Sequence, residues 1–272
     1  MSKYYNNSVA SFVTKRQSRK KVAQGIKDTM RDNSIIHYLG GTSTQTPFEN
    51  QFKDRDCTFV RYERMRSIVP SGYKQVTFNN KGAATLPTNV ERGYFVNDDF
   101  FNSFFDIAKK VKGNESHFWL DFCGMPTKDL LDCIYHTFLH EDCEEFKSLY
   151  LTFFMNPRNC KDMKTMFTGN EKTLEERANT MLNKIKQDWE WQDQSDKTIE
   201  IFDTYHNGKS PMCVLKIERR TKEDDMTKTA SVENYVNLRK KGFTNKQIAI
   251  FWRAGTMQVA GFAASAKRKK LL

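Results

Sequence analysis

The chain reads as an α/β protein: a doubly wound, mostly parallel sheet with a terminal antiparallel hairpin, followed by a small all-α helix-turn-helix. Three observations predict this. Short apolar runs alternate with helical patterns five times, and such alternation calls for a sheet covered by helices on both faces. Two further alternating runs flank Asn207-Gly208, a strong hairpin signal. The last forty residues hold three short helical patterns punctuated by Gly242 and Gly255. A length of 272 residues suits one large domain with a small appendage.

The elements follow in order. Residues 15–32 are a basic helix with few apolar positions. Ser34 to Leu39 (SIIHYL) is a buried strand ending in Gly40-Gly41. Phe48 to Lys53 begins a helix after Pro47, and Cys57 to Tyr62 (CTFVRY) is the second strand, ending at Glu63. Residues 66–93, rich in Gly, Pro, Asn and Thr, read as an insertion with a strand at Gln75 to Phe78. Tyr94 to Val96 is the third strand, and Phe100 to Val111 has apolar residues at helical spacing. His117 to Phe122 (HFWLDF) is the fourth strand, and Thr127 starts a helix carrying Leu130, Leu131, Ile134, Phe138 and Leu139. Leu149 to Met155 is a near-continuous apolar run, as a strand covered on both faces requires. A helix over 173–188 precedes the hairpin strands, Thr198 to Tyr205 and Met212 to Glu218.

The net charge of +11 is unevenly placed. Residues 1–32 hold eight Lys and Arg against two Asp, and residues 228–272 hold ten against one Glu. Residues 33–227 hold 26 basic and 30 acidic side chains. An acidic body between basic ends suggests nucleic-acid contacts made by the termini, with solubilising charge as the alternative. No run of about 18 apolar residues exists, so no membrane span is expected. Met1 to Arg31 lacks the apolar segment of a secretory signal, and the six cysteines form no CxxC pair. A cytoplasmic protein is expected, in a host cytoplasm if the source is viral.

Five parallel strands, a helix and a closing hairpin resemble the class I S-adenosylmethionine-dependent methyltransferase fold, over roughly residues 33–220. That family carries one antiparallel strand in an otherwise parallel sheet. The resemblance implies S-adenosylmethionine as cofactor, and ligands of open α/β sheets bind beyond the strands' carboxyl ends. Gly40 and Gly41 would form the cofactor turn, although the family shows an acidic residue and more glycines where this chain has His37. Glu63, at the end of the second strand, suits two ribose hydroxyls, or is a surface residue between Arg61 and Arg64. Asp98 or Asp99 would hold the adenine amino group with Phe100 or Phe101 against its ring; helix N-capping is the other role open to those aspartates. Asp121, closing the apolar strand HFWLD, is the catalytic candidate. In base-amino methyltransferases this position opens a D-P-P-aromatic motif, of which Asp121-Phe122-Cys123-Gly124 keeps only the Asp. Cys123 does not follow a proline, as the nucleophile of the cytosine-C5 enzymes does, and reads as a turn residue.

Cys133, His136, His140 and Cys143 are spaced like metal ligands. On one straight helix they span about 15 Å, too far for a single tetrahedral zinc.

The expected organisation is a basic helix over 1–32, a Rossmann-like domain over 33–220, a linker over 221–229 and a DNA-binding module over 230–272. In the module, Val232 to Lys241 is a helix stopped by Gly242, and Thr244 with Gln247 is a capping box for the next. Thr256 caps the last helix, which carries Val259, Ala260, Phe262, Ala263 and Ala266. The segment GFTNKQIAIFWRAGTMQVAGFAASAKR resembles the helix-turn-helix segments of bacterial and phage proteins. That resemblance puts Thr256, Met257 and Gln258 at base edges in the major groove. Lys246, Arg253, Lys267, Arg268, Lys269 and Lys270 would contact phosphates.

Two functions of different class fit. One is a methyltransferase acting on nucleic acid, double-stranded DNA before RNA, docked by the C-terminal module. The other is a non-catalytic DNA-binding regulator or architectural protein with a degenerate methyltransferase-like domain.

Overall fold

The computed structural model describes residues 9–40, 48–63, 68–111, 113–122, 124–139, 146–155, 167, 170–190, 197–219, 230–240, 245, 248, 249, 252, 256–269 and 271, with backbone alone for 9–12 and 256. The chain divides into two units, Met1–Arg219 and Arg220–Leu272. The expected linker, 221–229, lies outside the described residues.

The first unit begins with helix α1 (Val9–Thr29), strand β1 (Ser34–Leu39), a 3-10 turn at Asn50–Phe52 and β2 (Cys57–Tyr62). The short strands β3 (Tyr73–Gln75), β4 (Thr77–Phe78) and β5 (Ala84–Thr85) precede β6 (Gly93–Val96). Then come α2 (Phe100–Ala108), β7 (Ser116–Asp121), α3 (Lys128–Ile134), β8 (Phe146–Phe154), α4 (Leu174–Asp188), β9 (Lys197–Asn207) and β10 (Ser210–Arg219). Eight strands form one sheet in the order β3-β6-β2-β1-β7-β8-β10-β9. β10 is antiparallel to β8 and β9, and every other pair is parallel. This is a Rossmann-like α/β fold with one reversed strand, the arrangement the sequence resemblance implies.

The central strands are apolar on both faces because both are covered. On one face Val60, Tyr62, Val96, Phe118, Leu120 and Leu149 join a core with Phe104 and Ile107 of α2, Leu131 and Ile134 of α3, and Met181 and Ile185 of α4. On the other, Ile36, Tyr38, Phe59, Trp119 and Tyr150 join Val22, Ala23, Ile26 and Met30 of α1 with Phe48 and Phe52. Burying Val22, Ile26 and Met30 contributes roughly 5–9 kcal/mol as an upper bound, so α1 is firmly seated.

Several expected boundaries move. α1 starts at Val9, ahead of the basic residues that marked it in the sequence. The helix expected from Phe48 is a 3-10 turn. The insertion supplies an extra parallel edge strand, β3, while β4 and β5 pair separately. The helix after Thr127 widens into a π turn at Tyr135–Leu139. The hairpin turns on Gly208 and Lys209, since Asn207 pairs with Ser210. Gly208 has φ 65°, and a positive φ at the first central position is the II′ pattern.

Thr173 caps α4 in a full capping box: its hydroxyl accepts from Glu176 N at 3.1 Å, and Glu176 Oε2 accepts from Thr173 N at 3.1 Å. Thr173→Ala is expected to lower stability by about 1 kcal/mol, read as a shifted urea midpoint with unchanged slope.

The second unit contains α5 (Val232–Lys240) and α6 (Thr256–Arg268). Tyr235, Val236, Leu238, Ile248, Ala249, Val259 and Ala266 form its core, and Tyr235 Oη donates to Asn245 Oδ1 at 2.8 Å. Asn245, Ile248 and Ala249 are helical. Gly242, the Thr244/Gln247 box and Gly255 lie outside the described residues. Thr256 is itself the first residue of α6. No described helix is long and apolar enough to cross a membrane.

Candidate functional site

Register brings the strand ends together. Leu39 stands opposite Tyr62, Tyr62 opposite Val96, and Tyr38 opposite Trp119. The ladder runs one step further: Gly40 N donates to Tyr62 O at 3.0 Å and Glu63 N to Val96 O at 2.8 Å. The residues after β1, β2, β6 and β7 therefore emerge along one edge. They sit where the sheet order reverses, between β1 and β7, and open α/β sheets hold their ligands there.

A cavity of about 450 Å³ lies at that edge, lined by Leu39, Gly40, Tyr62, Glu63, Asp98, Asp99, Phe100, Phe101, Asp121, Phe122 and Leu130. Gly40, Glu63, Asp98, Asp99, Phe100 and Asp121, singled out from the sequence, are all on its wall. Gly41 and Cys123 lie outside the described residues. The volume is in the range of small-molecule sites, and the wall is rich in carboxylates.

Each carboxylate already has a local task. Glu63 Oε1 is bonded to Arg61 Nη2, with the two side chains 6% and 2% exposed. Arg61 also lies over the Phe95 ring, and its Nε and Nη1 have no hydrogen-bond partner among the described residues. The surface reading of Glu63 thus gives way to a buried ion pair. The same pair explains Gly40: a Cβ there would collide with the Arg61 side chain. Asp99 is the N-cap of α2, its carboxylate accepting from Phe101 N at 3.1 Å, and Asp98 Oδ1 accepts from Asp99 N at 2.7 Å. Asp121 Oδ2 is 3.5 Å from Lys15 Nζ of α1.

The aromatic positions separate by function. Phe100 is buried and packs on Tyr62, Phe104 and Phe138. Phe101 is half-buried, its ring 6.1 Å from that of Phe122 and within 5° of parallel. A flat ligand in the cavity would meet Phe101 and Phe122, with Phe100 as their backing.

His37, where the resembled family has an acidic residue, is fully buried. Its ring stacks on Phe118 at 4.5 Å, and Nδ1 shares a 3.0 Å hydrogen bond with Tyr62 Oη. Burial, and secondarily His117, lowers its pKa to about 3, so it is a neutral core residue at physiological pH. Burial likewise holds the Tyr62 hydroxyl protonated. His37 does not reach the cavity wall.

Sequence reasoning missed Arg61 and Lys15. Arg61 and Glu63 are two apart on a strand and share a face, a signal the sequence did offer. Lys15 and Asp121 are separated by more than a hundred residues, and nothing local links them. In the second unit, Met257 and Gln258 are exposed on the first turn of α6, and Lys267, Arg268 and Lys269 are exposed at its end. Lys246, Arg253 and Lys270 lie outside the described residues, and the Thr256 side chain is not described. His140 and Cys143 of the metal-like spacing also lie outside, and no metal-ligand cluster occurs among the described residues.

No protein-family model matches the chain, and no curated protein matches it. Among solved structures it is similar to a chain in the structure of the E. cuniculi Mtq2–Trm112 complex, responsible for the methylation of the eRF1 translation termination factor. The TM-score is 0.36 and the identity 10%, over 75% of this chain and 96% of that one.

Proposed function

We propose that the cavity binds S-adenosylmethionine and that the chain transfers its methyl group to a nucleic acid, with the C-terminal unit as a DNA-docking module. The observation that carries the cofactor reading is the convergence of Gly40, Glu63, Asp98 and Asp121, from four adjacent parallel strands, on one cavity at the switch point. The residues fit the group chemically. Glu63, held by Arg61, would accept from ribose hydroxyls. Asp98 would accept from the adenine amino group, and Phe101 and Phe122 would cover the ring. When bound, the cofactor supplies an electrophilic methyl group. Asp121 would orient the acceptor amine by accepting its hydrogen bond, and Lys15 would fix the Asp121 carboxylate. The exposed Met257, Gln258, Lys267, Arg268 and Lys269 suit DNA contact, with Lys246, Arg253, Lys270 and Thr256 as further contacts from the sequence.

One observation favours the non-catalytic reading. Glu63, Asp99 and Asp121 are each engaged within the protein, as in a domain that has kept its fold and lost its ligand. Calorimetry separates the two. The full chain should bind S-adenosylmethionine, and Asp98→Asn should weaken binding about tenfold, ~1.4 kcal/mol, with an unchanged melting temperature. The Asn keeps an oxygen for Asp99 N and loses the charge. No binding by the unaltered chain at about 1 mM cofactor, ~4 kcal/mol, removes the enzyme and leaves the regulator.

A further inference from the structure

Between Val9 and Lys27, helix α1 contains six basic residues and no acidic one. Its inner stripe seats it on the sheet, and its other sides differ in how their charge is used. Lys15 is paired with Asp121, Lys21 with Asp203 and Lys27 with Asp54. Arg16, Gln17 and Lys20 are exposed, and neither Arg16 nor Lys20 forms an ion pair with a described residue. Arg16 and Lys20 are four residues apart, so their mutual repulsion works against the helix that displays them.

Lys15, on the inner side of the helix, fixes the level along α1 at which the cavity lies. Its Nζ reaches the Asp121 carboxylate on the cavity wall, while Arg16 and Lys20 lie about 100° and about 140° round the helix from it, on the exposed flank, with Lys20 about 7.5 Å further along the axis. Residues 33–227 carry 30 acidic against 26 basic side chains, so the body supplies no net positive charge for a polyanion, whereas α1 does.

We infer that Arg16, Gln17 and Lys20, on the exposed flank of α1, bind the phosphate backbone of the nucleic acid at the level of Asp121 along the helix. This rests on the nucleic-acid reading above and adds a second grip, on the first unit.

The test is fluorescence anisotropy of the full chain with a labelled random-sequence duplex, and with one strand of it alone, from about 50 to 200 mM salt. The Arg16→Gln/Lys20→Gln variant alters exposed side chains only, and its melting temperature should match the unaltered chain. Its log–log salt slope should be smaller by about 1.8 on duplex, or about 1.4 on single strand, at ~0.9 and ~0.7 per lost phosphate contact. The probe showing the drop identifies the form of nucleic acid. An unchanged slope on both probes, or no binding by the unaltered chain to either, overturns the inference. Cofactor calorimetry is read separately. Cofactor binding with an unchanged slope removes α1 alone, and the expected slope change without cofactor binding removes the methyltransferase alone.

Discussion

Glu63→Ala should destabilise the first unit by about 3–5 kcal/mol, the loss that follows when one partner of a buried ion pair is removed. Arg61 is 2% exposed, and its two further donors have no partner among the described residues, so removal of Glu63 leaves a buried charge without its counter-ion. Urea denaturation should show a lower midpoint at constant slope. Arg61→Met combined with Glu63→Leu removes both charges and should recover most of the loss, because a buried pair is often no better than apolar groups of similar size. An unmoved midpoint in Glu63→Ala would show that Arg61 is compensated elsewhere. The comparison also protects the cofactor test. A Glu63 variant confounds binding with folding, whereas Asp98→Asn does not.

Acidification should weaken the fold through His37 before the carboxylates begin to titrate. Its folded pKa, about 3, lies below the 6.5 of the unfolded chain. The unfolded state therefore binds the extra proton. The contribution is fully present above pH 6.5 and is lost as pH falls toward 3. The slope approaches about 1.4 kcal/mol per pH unit and totals about 5 kcal/mol over the window. Urea midpoints at pH 7, 6 and 5 read the upper part of it, above the ordinary carboxylate range of about 4. His37→Phe should flatten that limb. It should also lose about 1–3 kcal/mol at neutral pH, because the buried Tyr62 hydroxyl gives up its partner. A limb that persists in His37→Phe assigns the acid sensitivity to another group.

The central strands were legible because a strand buried on both faces must be apolar throughout, and SIIHYL, CTFVRY and LYLTFF are nearly so. The edge strand β3 was not: only Tyr73 of its three residues is buried, so it leaves no apolar run. The hairpin was legible from Asn207-Gly208, though the turn sits one residue later than the dipeptide suggests. The cavity residues could be named because strand ends in a parallel sheet share one edge. Their charge partners divide: Lys15 comes from the N-terminal helix and nothing local ties it to Asp121, whereas Arg61 shares a strand face with Glu63, a spacing that identifies an ion pair only once that face is buried. His37 departs from the resembled family's acidic residue, and its stacking on Phe118 gives that departure a packing role.

Helix α1 also constrains the order in which the protein can assemble. Its Lys21 and Thr14 bond to Asp203 and to the carbonyl of His206, both on β9. Helix α1 thus docks on a strand made some 190 residues after it. Until β9 is in place, Val22, Ile26 and Met30 have no complete surface to cover them. Contacts this distant in sequence slow folding, and exposed apolar stripes invite aggregation in the interval. A chain cut short before β9 should expose that stripe for as long as it persists.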